Sequence, residues 1–255
     1  MSTDKEVTWE QLSDWYDEEQ GNDGDLWHRT LIDPTVIRFL GNVRNKEILD
    51  LGCGNGYISR RLSRLGAILT SVDSSRRIID LARKRDPSNN FEINYVQSDA
   101  GNHLSLAGSN FDAVLANMSL MNIQNAQGAN NEAYRVLRKD GKFVASISHP
   151  CFDNGRFSLW QIEKTAYGVT VSRKIRNYRK SFDTMVEWRV SPDKLVQTRA
   201  FHRSLSCYAG TLHSAGFVIA NLAEPAPNEE FLEKSPEGQW IEDVPLQLVF
   251  EAVKL

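Results

Sequence analysis

Residues 48–57, ILDLGCGNGY, decide the fold of this 255-residue chain. An apolar run ends in three glycines at alternate positions, Gly52, Gly54 and Gly56, and the stretch from Tyr57 onward is helical in character. Glycine has no Cβ and tolerates positive φ, so such a turn lets the backbone come close to a ligand. The pattern therefore predicts a strand, a ligand-binding turn and a helix, in that order.

The turn differs from the dinucleotide-binding fingerprint, G-x-G-x-x-G. Its third glycine comes one residue early, and Tyr57 stands where the fingerprint has glycine. Asp50 lies just before the turn, where a negative charge suits a cationic ligand better than a pyrophosphate. A positively charged nucleoside fits both observations.

Four motifs in succession resemble those of class I S-adenosylmethionine-dependent methyltransferases of the small-molecule type. DLGCGNG (50–56) is similar to the first motif of that family, SVDSS (71–75) to its second-strand acid, QSDA (97–100) to its third-strand acid and FDAVLANMSLMNI (111–123) to its fourth strand and turn. The resemblance extends over roughly residues 35–148. It implies S-adenosyl-L-methionine as methyl donor and S-adenosyl-L-homocysteine as product.

Strand-like apolar runs alternate with helical patterns from residue 47 onward, which predicts an α/β fold with a doubly wound, mostly parallel sheet. The resemblance implies seven strands in the order 3-2-1-4-5-7-6, with the last strand antiparallel. The helix before strand 5 is predicted over residues 131–137. Lys139, Asp140 and Gly141 are predicted to form the exit from that helix, so that strand 5 begins at Lys142.

Three segments are expected. Residues 1–34 form an N-terminal helical lid, residues 35–149 and 200–255 form the methyltransferase core, and residues 150–199 form an inserted substrate-cover subdomain. Within the insertion, GVTVSRKI (168–175) and DTMVEWRV (183–190) are β-rich. Since fifty residues are too many for a plain loop, the insertion is predicted to be a small antiparallel β structure.

The resemblance also implies which residues hold the donor. Asp73 would accept hydrogen bonds from the ribose hydroxyls, Asp99 would contact the adenine, and Asp50 would act on the methionine amino group. Asp73 can also be read as a helix cap, and Asp99 as part of a polar turn. The full expected set is Tyr16, Asp50, Gly52, Cys53, Gly54, Asn55, Gly56, Asp73, Ser74, Ser98, Asp99, Ala100, Asn117 and Met118.

The N-terminal segment carries Trp9, Trp15, Tyr16 and Trp27 between acidic residues. Tyr16 with the following aspartate resembles the Tyr-Asp pair that covers the methionine moiety in small-molecule methyltransferases. An aromatic face beside a sulfonium also has a basis in cation–π attraction. An amphipathic helix that packs its tryptophans on the core is an equal alternative.

Methyl transfer is an in-line displacement, so the protein mainly supplies proximity and alignment. A general base helps when the acceptor is a hydroxyl or a protonated amine, and histidine has a suitable pKa. His149 and His202 are the candidates, although each can also be structural.

Two other segments argue against nucleic-acid chemistry. Asn117 is followed by Met118 and Ser119 rather than by the Pro-Pro-Tyr of amino-methylating nucleic-acid enzymes, so this segment is interpreted as pocket wall. Pro150 and Cys151 follow strand 5, whereas the nucleophilic Pro-Cys of cytosine-C5 methyltransferases follows strand 4. Cys151 is therefore expected to be a buried or pocket-lining thiol.

The net charge of −3 also disfavours a dedicated nucleic-acid binder. The charge is uneven, because residues 1–28 hold nine acids against one base and residues 161–203 hold ten bases against four acids. The basic segment can be a solvated face, a pocket for an anionic substrate or an RNA-binding surface. Three cysteines without paired spacing indicate neither a disulfide framework nor a metal site.

The N-terminus lacks the pattern of a secretion signal, and no apolar run approaches about 20 residues, so a cytoplasmic protein without membrane contact is expected. The sequence leaves the oligomeric state open. The predicted function is methyl transfer from S-adenosylmethionine to an O or N atom of a small-molecule acceptor. The alternatives are an RNA-modifying methyltransferase and a non-catalytic, S-adenosylmethionine-binding regulatory protein.

Overall fold

The computed structural model describes residues 5–86, 91–166, 168–235 and 238–255, so part of each predicted segment, including residues 1–4 of the lid, lies outside the described residues. The strands are β1 (Lys5–Glu6), β2 (Glu47–Leu51), β3 (Ile68–Asp73), β4 (Asn94–Gln97), β5 (Phe111–Asn117), β6 (Leu137–Ser148), β7 (Ser158–Thr165), β8 (Gly168–Ile175), β9 (Phe182–Ser191), β10 (Lys194–His202), β11 (Phe217–Ala223) and β12 (Gln247–Lys254). The helices are α1 (Trp9–Gln20), α2 (Asp33–Leu40), α3 (Tyr57–Arg64), α4 (Arg76–Lys84), α5 (Ala126–Val136), α6 (Leu205–Ala215), α7 (Glu229–Lys234) and α8 (Gly238–Asp243). A π-helical turn covers His28–Ile32. None of the helices in these ranges is both long and apolar enough to cross a bilayer.

Seven strands form the central sheet in the order β4-β3-β2-β5-β6-β12-β11. β12 runs antiparallel to both of its neighbours, whereas β2, β3, β4, β5 and β6 are parallel. The predicted order and the antiparallel last strand are confirmed. Because the parallel strands end at one edge of the sheet, Asp50, Asp73 and Asn117 meet there.

The central strands β2, β5 and β12 are buried on both faces, as in other doubly wound sheets. Successive residues of β2 point to opposite sides, so Ile48 joins one apolar cluster and Leu49 joins the other. The first cluster includes residues of α2 and α3, and the second includes residues of α5 and α6. This packing holds the carboxyl edge of the sheet rigid.

The segment after β6 contains antiparallel hairpins, as predicted. β7 pairs with β8, and β9 pairs with β10. β1 adds to the second hairpin in parallel, so the N-terminal segment and the insertion share a three-stranded sheet. β10 continues to His202, three residues past the expected end of the insertion. The division into domains stays a prediction.

The predicted exit from the helix before strand 5 is wrong. α5 begins at Ala126, where the Asn125 side chain accepts a hydrogen bond from the Gly128 amide, and β6 begins at Leu137. Residues 139–141 therefore lie within β6, in an irregular stretch where Asp140 has a φ of +62° and the register with β5 shifts. An Asp-Gly pair has the composition of a turn whether it ends a helix or kinks a strand. Local composition cannot separate the two cases.

Candidate functional site

The glycine turn between β2 and α3 adopts the backbone that the sequence predicts. Gly52, Gly54 and Gly56 all have positive φ, between +54° and +75°. A Cβ atom on Gly54 would lie 2.9 Å from the ring of Tyr16, and one on Gly56 would lie 2.6 Å from the Tyr95 hydroxyl oxygen. Only glycine therefore fits at these two positions. Helix α1, which carries Tyr16, packs directly on the turn.

Asp73, at the end of β3, lies beside this turn. Its Oδ2 accepts a hydrogen bond from the Gly54 amide at 3.0 Å, and its Oδ1 accepts one from the Ser75 amide at 2.9 Å. Burial raises the pKa of Asp73. Ser75 rather than Ser74 caps α4, since its Oγ accepts from the Ile78 amide, and Ser74 is exposed. The Asp73 carbonyl also accepts from the Ser98 amide at 2.9 Å. The second motif therefore meets the turn, and the third motif meets the second.

Asp50 lies in the strand beneath the turn and is fully buried. Its Oδ2 accepts a hydrogen bond from Ser59 Oγ at 2.5 Å. Its Oδ1 has no hydrogen-bond partner within the described ranges. Burial, with smaller contributions from the charges of Asp73 and Asp33, raises the pKa of Asp50 to about 7. The site thus contains a buried acceptor oxygen that is available to a cationic group.

Helix α1 crosses the turn and is held at both ends. Near its start, Ser75 Oγ donates to Glu10 at 2.6 Å, and near its end Asp17 pairs with Arg85. The Asn55 side-chain amide donates to Asp17 at 3.1 Å, so the turn itself contributes to this anchor. Tyr16 consequently lies against the turn, where burial and nearby carboxylates raise its pKa. Its role as a cover for the donor stays a prediction.

Asn117 and Met118 lie where β5 ends, and hydrogen bonds fix the side chain of Asn117. The Asn117 amide donates to Tyr57 Oη at 2.8 Å and to Asp33 at 3.0 Å, and its carbonyl oxygen accepts from Ser146 Oγ at 2.6 Å. Met118 has a φ of +51°, which is unusual for a residue with a side chain and is often found at functional sites.

The third motif forms a tight turn at the edge of the site. Asp99 is exposed, and its carboxylate accepts from the Gly101 amide and from the Asn102 side chain, each at 2.8 Å. Asn125 donates to the Gly101 carbonyl and ties this turn to α5, while Ala100 is buried beneath it. Both interpretations of Asp99 are compatible with this geometry.

The two candidate general bases have their rings fixed. His149 Nδ1 accepts a hydrogen bond from the Cys151 amide at 3.1 Å, so its Nε2 carries the proton and donates to Glu224 at 2.8 Å. His202 Nε2 lies 2.8 Å from the Tyr178 carbonyl oxygen, to which it must donate. In the part of the chain that the structure describes, no hydrogen bond links either ring to the glycine turn. Their role as bases stays a prediction.

The sequence reasoning missed a second group of polar residues beside Asn117. Asp33 is fully buried and accepts from the Tyr57 hydroxyl at 3.1 Å. His28 begins the π-helical turn, and its Nδ1 lies 2.9 Å from Asp25 Oδ1. Asp33 precedes a proline, a pair that is typical of a helix start. That pattern gave no reason to expect a buried acceptor beside Asn117. The only local signal at Asp25 and His28 was their spacing of three residues.

Comparison with known proteins supports the assignment that the motifs suggest. The family described as "Methyltransferase domain" matches residues 49–145. A demethylmenaquinone methyltransferase of Tropheryma whipplei is 35% identical over 116 residues, which cover 45% of this chain and 47% of that protein. The ubiquinone/menaquinone biosynthesis C-methyltransferase of Haemophilus ducreyi is 31% identical (50% and 49% covered). A ubiquinone biosynthesis O-methyltransferase of Coxiella burnetii is 29% identical (46% and 50% covered). The chain spans about half the length of these curated relatives.

Solved structures confirm the fold. An S-adenosylmethionine-dependent methyltransferase from Mesorhizobium loti superposes with a TM-score of 0.70 at 23% identity, covering 87% of this chain and 96% of that one. A candidate methyltransferase of the same kind from Listeria monocytogenes gives 0.71 at 24% identity, with the same coverage. Residues 49–145 therefore match a methyltransferase domain, and the chain has the class I fold found in S-adenosylmethionine-dependent methyltransferases.

Proposed function

We propose that this protein transfers a methyl group from S-adenosylmethionine to an O or N atom of a small molecule. The observation that carries this proposal is the glycine-lined cradle formed by the turn, the fully buried Asp50 and the partly buried Asp73. A sulfonium nucleoside with a free ammonium group has the charge and the hydroxyls that such a cradle would bind. The match of residues 49–145 to a methyltransferase domain supports it independently.

The residues present fit the donor. Among the described residues nothing hydrogen-bonds to Oδ1 of Asp50, which makes it a buried acceptor of the kind that an ammonium group satisfies. Asp73, beside the turn, is the residue that we expect to accept hydrogen bonds from the ribose. When bound, the donor supplies a methyl group on a positively charged sulfur. The chain's own contribution is to orient the reactants, to hold negative charge near the cation and to exclude water beneath α1.

The acceptor is proposed to be a small molecule, because the relatives are named for quinone biosynthesis. Those names include both C- and O-methyltransferases, so they do not select the accepting atom. We propose O or N, and product formation with phenols and amines tests that choice. A cytoplasmic location is part of this proposal. It is supported by the free thiols of Cys53, Cys151 and Cys207, since such thiols are typical of reducing compartments.

An isothermal titration with S-adenosylhomocysteine tests donor binding. Asp73→Ala is expected to weaken binding by about 100-fold or more, because hydrogen bonds to a charged group contribute about 1.5–3 kcal/mol each. Asp80→Ala is the matched control, since it removes a half-exposed carboxylate from the neighbouring helix α4. If the wild-type protein does not bind the ligand, or if Asp73→Ala binds as tightly as wild type, the donor assignment is wrong.

Product formation separates an enzyme from a binding protein. The wild-type protein would be incubated with S-adenosylmethionine and a panel of phenols and amines, and S-adenosylhomocysteine would be measured. Acceptor-dependent product is expected, and tight donor binding without product from any acceptor would favour the regulatory alternative.

The basic segment of the insertion favours an RNA-modifying methyltransferase as second candidate. Arg173 contributes to packing, because its guanidinium lies 4.7 Å from the Trp160 ring centroid and donates to the Phe152 carbonyl. Lys174 and Arg176 are exposed and are the better probes. A salt-dependent affinity for tRNA fragments that falls when both are changed to alanine would support this candidate, and a flat salt response would remove it.

A further inference from the structure

His28 is held so that one ring nitrogen is fixed and the other is available. Its Nδ1 lies 2.9 Å from Asp25 Oδ1, and the same oxygen accepts the His28 backbone amide at 2.8 Å. The second carboxylate oxygen accepts from Gln20 Nε2 at 2.8 Å. Because a carboxylate can only accept, Nδ1 carries the proton and Nε2 presents its lone pair. Among the described residues nothing hydrogen-bonds to Nε2, and the side chain is 12% exposed.

The Asp25–His28 pair lies beside the glycine turn. The His28 and Tyr57 rings pack in a T-shaped arrangement at a centroid distance of 5.5 Å. Tyr57 is the first residue of α3, directly after the turn, and its hydroxyl is bonded to Asn117 where β5 ends. Gly24 packs closely on the same ring, because a Cβ there would lie only 2.7 Å from Tyr57 Cε2. His28 therefore belongs to the wall that β5 and α3 form around the proposed methyl-transfer site.

The charges around His28 favour its protonated form. Burial lowers the pKa of His28, but the hydrogen bond and charge of Asp25 and the charge of Asp33 outweigh it, so the pKa is raised. Asp33 faces it from α2 and is paired with Arg61 of α3. Tyr16 of α1 also lies near Asp25, since burial and then the charge of Asp25 raise the pKa of the Tyr16 phenol. An imidazolium formed at this position is thus stabilised by two carboxylates.

We propose that His28 is the proton acceptor of the methyl-transfer reaction and that Asp25 is its positioning residue. This inference rests on the proposed function and makes its acceptor class specific: a hydroxyl or an amine that must lose a proton. The acceptor oxygen or nitrogen forms its bond to the methyl carbon, and the donor sulfur keeps the electron pair of the broken S–C bond. The O–H or N–H proton passes to His28 Nε2 and then to water. A carboxylate that fixes the tautomer of a histidine base is an arrangement known from hydrolases.

Imidazole NMR tests the geometry without an acceptor. In ¹⁵N-labelled protein titrated over about pH 5–9, neutral His28 is expected to carry its proton on Nδ1. Asp25→Asn is expected to lower the pH of the His28 transition, because it removes the adjacent negative charge. Saturation with S-adenosylhomocysteine is expected to shift the His28 signals and to leave those of His103 unchanged, since that side chain is 73% exposed on the surface.

Three NMR outcomes would overturn the inference: a proton on Nε2 in the neutral form, a transition that does not respond to Asp25→Asn, or unshifted His28 signals when calorimetry shows bound ligand. Failure of the wild-type protein to bind S-adenosylhomocysteine would instead overturn the proposed function. The two failures are therefore distinguishable.

Kinetics test the chemical role. With an acceptor that supports turnover, His28→Gln is expected to lower kcat by about 10²–10⁴-fold and to change the Kd for S-adenosylhomocysteine by less than about threefold. His28→Asn keeps a hydrogen-bond donor near the Nδ1 position, so this variant should remain folded. Its kcat should be as low as that of His28→Gln. His103→Gln is the matched control and should behave as wild type. A His28→Asn variant with wild-type kcat would refute the assignment.

Discussion

At the scale of single residues, Asp50 is a carboxyl group whose burial is only partly compensated. One oxygen accepts from Ser59, the other has no partner within the described ranges, and the pKa of Asp50 is raised to about 7. Between its usual pKa of 3.8 and this raised value, the Asp50 carboxyl group is therefore protonated in the folded protein and ionised in the unfolded chain. Such a group destabilises the ligand-free protein and is retained where binding requires it.

Asp50→Asn tests how far the buried carboxyl group destabilises the ligand-free protein. Because the pKa is 3.8 in the unfolded reference and about 7 in the folded protein, stability is lost as pH rises between these values. The variant should be more stable than wild type by about 1–3 kcal/mol near pH 8, and the gain should disappear near pH 4. Urea unfolding at the two pH values measures the difference, and S-adenosylhomocysteine binding should weaken.

Asp112→Asn is the control, and its expected effect on stability near pH 8 has the opposite sign. Burial disfavours the charge of Asp112, but the Glu47 amide and Arg138 outweigh it, so the pKa of Asp112 is lowered. Its stabilising contribution is present above the unfolded pKa and is lost on acidification. This variant should therefore be less stable than wild type near pH 8. Equal effects of Asp50→Asn at both pH values would contradict the prediction.

At the scale of elements, helix α1 and the glycine turn form one unit. The helix begins with a capping box at Thr8 and Gln11, and its far end is tied to the turn through Asn55. Tyr16 rests on Gly54 between these two anchors. The conformation of the turn and the position of the helix therefore depend on each other.

Gly54→Ala should disturb both elements. The residue has a φ of +54°, and the new Cβ would meet Tyr16 at 2.9 Å. We expect a loss of about 1–3 kcal/mol, faster amide exchange in α1 and weaker S-adenosylhomocysteine binding. Thermal unfolding and hydrogen exchange provide the measurements.

Gly210→Ala is the matched control, since this glycine lies inside α6 with nothing within 4 Å of the new Cβ. It should stabilise the protein by about 0.5–1 kcal/mol. Unchanged exchange in α1 of the Gly54→Ala variant would show that the helix and the turn are independent.

At the scale of the whole molecule, an aromatic cluster of Trp9, Trp15 and Trp188 joins the N-terminal helix to the insertion. The Trp188 ring lies 5.6 Å from Trp9 and 5.8 Å from Trp15, and its Nε1 donates to Thr198 at 2.8 Å. The pairing of β1 with β10 adds a second connection. The N-terminal segment and the insertion are therefore mechanically linked.

Trp188→Ala should loosen this connection. We expect a loss of stability of about 2–4 kcal/mol and faster amide exchange over residues 9–20, although Trp188 lies in the other segment. Trp240→Ala, which removes a 5.4 Å ring contact with Trp160 elsewhere in the structure, should leave exchange in α1 unchanged. Equal protection of α1 in both variants would argue against the link.

Much of this protein could be predicted from its sequence. The glycine turn and the acids near the ends of β2 and β3 follow from apolar periodicity, backbone requirements and motif spacing, which are local properties of the chain. The resemblance to a known family then supplied the strand order and the donor. The β structure of the insertion was visible for the same reason, since alternation along a strand is also local.

Tertiary structure alone decided how the site's polar atoms are paired. The sequence could not indicate that His149 is bonded to Glu224, or that His28, beside Tyr57, keeps a ring nitrogen available. Residues 139–141 became part of a strand because β6 pairs with β5. These outcomes depend on contacts between residues distant in the sequence. Such contacts form only when the sheet brings its edges together, so no local pattern records them.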